Sequence, residues 1–161
     1  MARQLIIDGH NLAHALRPTR ALLGSDQQRA REALVELLRG YKKAAPAEIT
    51  VVFDGAGQQD GRGRRVAGIT VMFSRPPQSA DDRIRELVNG ARDPGGLLVV
   101  SSDRAVWRHA RNKGAQAVTS QEFGERLFAA LRARADAAEK PVAVDVAAWQ
   151  RIFSQRRPDD E

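Results

Sequence analysis

The chain has 161 residues, 42% of them apolar and 5% aromatic, which points to one domain around a largely aliphatic core. Cysteine is absent, so disulfides, thiolate metal sites and a cysteine nucleophile are excluded. A net charge of +6 and a pI near 10.6 favour a polyanionic partner, nucleic acid above all, although 20 acids are mixed in and a well-solvated surface gives the same balance.

The first predicted element is a buried strand, QLIID (4–8), that ends on Asp8 and runs into Gly9, His10 and Asn11. Its apolar run is too short for a signal peptide, and no run approaches a membrane span, so a cytoplasmic protein without membrane contact is expected. Residues 26–45 follow as an amphipathic helix. Ala30, Ala33, Leu34, Leu37, Leu38 and Tyr41 recur at helical spacing, Ser25 is the predicted N-cap and Pro46 marks the end. ITVVFD (49–54) is a second buried strand ending on an acid. Residues 55–68 hold five glycines and no apolar period, so a loop is predicted there.

GITVMF (68–73) is the third strand. Pro76 and Pro77 end it, and a helix begins at SADDRIRELVNGAR with Ser79 as N-cap. GLLVVSSD (96–103) is the fourth strand and again ends on an acid. A short helix over 104–113 stops at Gly114. AQAVT (115–119) is a fifth strand, and Thr119 with Glu122 has the spacing of a capping box that opens a last helix running to about residue 138. The sequence thus divides into a domain over 1–140 and a tail over 141–161. In the tail, Val144, Val146, Trp149, Ile152 and Phe153 suggest a small docking helix before a disordered end. Alternating strands and helices, with strands apolar on both faces, predict an α/β fold with a mostly parallel sheet covered by helices on both sides.

In such a sheet ligands bind outside the carboxyl ends of the strands. Asp8, Asp54 and Asp103 end three strands there, and Asp81 and Asp82 sit in the first turn of the helix after the third. Each acid alone has a structural explanation. Asp8 and Asp103 suit helix caps, Asp81 and Asp82 suit a helix N-terminus, and Asp54 before Gly55 suits a turn. Together they deliver carboxylates from four segments to one edge. Crowded carboxylates repel one another and favour a neutralising cation. Hard oxygen donors without His or Cys point to Mg²⁺ or Mn²⁺, ions that bridge to phosphate. Gly9 reads as room for a metal and a phosphate at the backbone. Arg62, Arg64, Arg65 and Arg75, against Asp60 alone, are candidates to clamp an RNA backbone, or else solubilising charge on a loop.

LIIDGHN, VVFDG, SADDRI and VVSSD, in this order and spacing, resemble the YacP-like NYN branch of the PIN-like nuclease superfamily over roughly residues 3–135. The resemblance implies a Rossmann-like sheet of order 3-2-1-4-5 and a divalent-metal site for cleaving RNA. It implies catalytic roles for Asp8, Asp54, Asp81 and Asp103, with the metal held by Asp8, Asp81 and Asp103. It also implies supporting roles for Asn11, Asp82, Ser101 and Ser102. His10 stands where the family usually has Tyr, and is a candidate for contact with RNA. Messenger RNA on the ribosome is the implied setting. The alternative is an RNA- or ribosome-binding adaptor with little or no catalysis. His14 and His109 fall on predicted helices as surface or packing residues, and Trp107 as a core residue. Arg83 and Arg85 either orient the acidic pair, meet phosphate or lie on a solvated face. A phosphotransfer or receiver-like enzyme is disfavoured, because no Walker or G-x-G-x-x-G loop, no D-x-D after the first strand and no Lys at the end of the fifth strand is present.

Overall fold

The computed structural model describes residues 2–55 and 63–137. Its elements are β1 (Gln4–Asp8), α1 (Gly9–Ala15), α2 (Arg17–Leu23), α3 (Gln27–Ala44), β2 (Glu48–Phe53), β3 (Arg64–Val66), β4 (Ile69–Phe73), α4 (Ala80–Asn89), β5 (Leu97–Val100), α5 (Arg104–Asn112), β6 (Gln116–Val118) and α6 (Ser120–Ala137). They build one six-stranded sheet in the order β3-β4-β2-β1-β5-β6. All neighbours are parallel except the β3–β4 pair at one edge. Counting only the five strands read from the sequence, the order is 3-2-1-4-5, as the family resemblance implies.

β1 lies at the centre, with Ile7 beside Val51 on one side and Val100 on the other. Side chains alternate across the sheet, so each strand feeds two cores. Leu5, Ile7, Val51 and Val100 pack under α1, α3 and α6 with Leu12, Leu34, Leu38, Phe123 and Leu127. Ile6, Val52, Leu97 and Val99 pack under α4 and α5 with Ile84, Val88, Val106 and Ala110. Fully burying one such Leu, Ile or Phe side chain is worth about 1.5–3 kcal/mol. Among the described residues, no helix is long and apolar enough to cross a membrane.

Three expectations change. The segment predicted as a loop over 55–68 contains β3, whose Arg64, Arg65 and Val66 pair antiparallel with Val71, Thr70 and Ile69. The N-cap of α3 is Asp26, which accepts the Arg29 N–H at 3.1 Å, rather than Ser25, whose hydroxyl donates to the Leu22 carbonyl. Gly9 serves packing. It is buried, and a Cβ there would fall 2.4 Å from Phe53 and 2.9 Å from Val51, on the side of the larger core. The predicted capping box of Thr119 with Glu122 is present, and the predicted N-cap Ser79 forms a second one with Asp82, which stands three residues on. Gly114 takes a left-handed φ of 92° after α5. The tail helix proposed for 141–161 lies outside the described residues.

Candidate active site

Period two along the central strands decides where the acids emerge. Asp8 follows Ile6 and Asp54 follows Val52 on the sheet face that carries α4 and α5. Asp8 ends β1 and caps α1, accepting the Asn11 N–H at 3.4 Å. Its second oxygen accepts the hydroxyl of fully buried Ser101 at 3.2 Å. Asp54 accepts the Ala80 N–H at 3.0 Å and so ties the end of β2 to the start of α4. Asp103 caps α5 through Oδ1 alone, which takes the Ala105 and Val106 N–H groups at 2.8 and 3.2 Å. Ser101 Oγ also accepts the Asp103 N–H at 3.0 Å, so one hydroxyl connects the first and last acids. Gly55 closes this end of the sheet: a Cβ on it would lie 1.6 Å from the Ser74 carbonyl oxygen.

Asp8, Asp54, Asp81 and Asp103 line one cavity of about 280 Å³, together with His10, Asn11 and His14 of α1 and the Ser79–Ala80 start of α4. The caps and the site are therefore the same residues. Asp8 is 6% exposed. Burial pushes its pKa up to about 6; the charges of Asp81 and Asp54 add to the rise, while the Asn11 N–H and the Ser101 hydroxyl oppose it. The Asp81 pKa is also raised, first by partial burial, then by the charge of Asp103 and a hydrogen bond to it, and by Asp54. Arg85 works the other way. The donor set is all oxygen and its negative charge is under-compensated, which suits a hard divalent cation. Among the described residues, however, no three acidic or imidazole side chains stand close enough together to share one ion.

The supporting residues divide. Asn11 Oδ1 accepts the Ser102 N–H at 2.9 Å and the Ser120 hydroxyl, fastening α1 to the β5–α5 turn and to α6. The backbone donor fixes which end of the amide is oxygen. Ser102 turns away from the cavity: its hydroxyl donates to Gln121 and accepts the Ser120 N–H. Asp82 is occupied in the capping box of α4, its carboxylate on the Ser79 N–H at 3.1 Å. Arg83 pairs with Glu86 at 2.9 Å, and Trp107 packs at the margin of the smaller core with Arg111 stacked on it.

The arginines are not brought together. Arg75 is exposed just past the carboxyl end of β4, on the side of the cavity. Arg64 is exposed on β3, and Arg65 reaches Glu48 at 3.3 Å, at the amino end of β2 and so at the opposite end of the sheet. Arg62 lies outside the described residues. One residue that sequence reasoning did not place in the site, His14, belongs to its surroundings, and Arg85 follows one of the alternatives read for it, acting on the acidic pair. His14 lines the cavity, and its spacing of four from His10, one helical turn, was the available signal. Arg85 influences Asp81 from the same position one turn on.

The family model described as YacP-like NYN domain matches residues 5–153. Two crystal structures of Rae1 (YacP) from Bacillus subtilis are similar in fold. One, of a single-substitution mutant, has a TM-score of 0.71 at 21% identity and covers 95% of this chain and 91% of its own. The other has a TM-score of 0.65 at 21% identity and covers 94% and 90%. No curated protein matches the sequence.

Proposed function

The chain belongs to the YacP-like NYN domain family, a family of nuclease type, and on that premise we propose that it is a divalent-metal-dependent endoribonuclease hydrolysing RNA phosphodiesters. One observation carries the reading: acids from four separate segments line a single cavity at the carboxyl edge of the sheet. In this proposal Asp8, Asp81 and Asp103 hold Mg²⁺ or Mn²⁺, and Asp54 supports them. When bound, the ion supplies Lewis acidity toward a phosphate oxygen and toward the attacking water. Ser101 positions the Asp8 and Asp103 segments relative to each other, and Asn11 fixes α1 against the loops that follow β5 and β6. The basic surface draws the polyanion to an acidic pocket that would otherwise repel it. Messenger RNA, met on the ribosome in the cytoplasm, is the proposed substrate.

The test is cleavage of a circular single-stranded RNA in Mn²⁺, which scores internal scission only. Wild type is expected to linearise the circle and chelation to stop it. Asp8→Asn and Asp103→Asn are each expected to slow it by about a hundredfold or more, the scale on which removal of one transition-state-stabilising group acts. Equal rates for wild type and Asp8→Asn would sink the assignment. The adaptor reading is favoured by the absence of a ready-made ligand triad among the described residues. It predicts salt-sensitive RNA or ribosome binding that survives Asp103→Asn, with no chelator-sensitive cutting at all.

A further inference from the structure

We infer that His10 and His14 form a nucleobase-stacking platform on the α1 wall of the cavity, so that the chain holds the base beside the phosphate it cleaves. The inference rests on the nuclease reading and adds a contact to the base. Among the described residues, His10 and His14 are the two aromatic side chains that are exposed; Tyr41, Phe73, Trp107, His109 and Phe128 are half-buried, and Phe53 and Phe123 are buried. Both exposed rings face the acid-lined cavity. They meet edge to face, with centroids 4.9 Å apart and planes at 77°. In that arrangement the edge-on ring keeps both of its faces clear of its neighbour. Neither imidazole is hydrogen-bonded to a described residue, so the surrounding carboxylates do not account for their presence.

The helix that carries the two rings is also fixed in place. Leu12 and Ala13 anchor α1 in the larger core, and Asn11 fastens it to two other segments. A base that stacks there loses freedom while the protein loses little, which is how preorganised sites bind. Every base has a π face, so the platform recognises the presence of a base before its identity.

The experiment is binding in chelator, where no cleavage occurs, read by fluorescence anisotropy. The probes are a short oligoadenylate and a base-free ribose-phosphate oligomer of equal length. Wild type is expected to prefer the oligoadenylate by about fivefold or more, the range of one stacked base. His10→Ala and His14→Ala are each expected to shrink that preference, leaving affinity for the base-free probe unchanged. His10→Tyr and His14→Phe keep a ring and are expected to retain the preference. Equal affinity of wild type for both probes overturns the inference. So does a parallel loss on both probes in the alanine variants, which would make the histidines phosphate contacts. Circular dichroism checks that each variant is folded, and His14→Gln replaces His14→Ala if it is not. Base preference without metal-dependent cleavage would keep the platform and remove the nuclease reading; cleavage without base preference would do the reverse.

Discussion

Asp8 is 6% exposed and titrates near pH 6, whereas an unfolded aspartate titrates near 3.8. The folded chain therefore holds this proton to a higher pH than the unfolded chain does. Stability contributed by the group is present below about pH 4 and is lost as pH rises through 6. The shift corresponds to a cost on the order of 3 kcal/mol at neutral pH. Asp8→Asn keeps an acceptor for the Asn11 N–H and carries no charge. It is expected to melt higher than wild type at pH 7.5 and to converge with it near pH 4. A Tm at pH 7.5 equal to or below that of wild type would contradict this account. Adding Mn²⁺ is expected to raise the Tm of wild type and not that of the variant, since only binding to the folded state stabilises it. Gly9 makes the opposite case, of a motif residue kept for packing. Gly9→Ala drives a methyl into Phe53 and Val51, and denaturant titration is expected to show a loss of about 1–3 kcal/mol.

α4 carries two adjacent acids with different duties. Asp82 closes the capping box with Ser79, and Asp81 faces the cavity beside Asp103. Asp82→Ala is expected to cost about 1 kcal/mol of stability, the ordinary value of a cap, while leaving the cleavage rate within a few fold. Asp81→Asn is expected to do the reverse. Thermal melts and cleavage assays on the same two preparations separate them, and a collapse of activity in Asp82→Ala with its fold intact would contradict the assignment. The capping box was legible from the three-residue spacing of Ser79 and Asp82. That Asp81 rather than Asp82 faces the cavity was implied by the family resemblance alone, because spacing does not say how α4 is turned against β1 and β2.

Across the whole molecule, the five parallel strands were legible because strands buried on both faces leave unbroken apolar runs such as LII, VVF and LLVV. The convergence of Asp8, Asp54 and Asp103 followed from the same strands, since a parallel sheet places all its carboxyl ends together. What the sequence hid was non-local. Asn11 meets Ser102 and Ser120, residues about ninety and more than a hundred positions away, and nothing near Asn11 announces them. Arg65 and Arg75 are ten apart in sequence and lie toward opposite ends of the sheet, because the chain reverses between β3 and β4. That separation has a consequence for the proposed RNA binding. Arg75→Ala is expected to lower the slope of log affinity against log salt by about one, and Arg65→Ala to leave it unchanged. Equal effects from both would mean that the RNA spans the sheet edge from end to end.

Among the described residues β3 has β4 on one side and no strand on the other. Such a border offers unpaired N–H and C=O groups to any other extended chain, and it is where sheets of separate molecules fuse. Here that border carries Arg64 and Arg65, both exposed. A second copy approaching edge to edge would bring the same charges against them. Like charge on this border thus opposes edge-to-edge pairing between copies, an effect independent of any ligand.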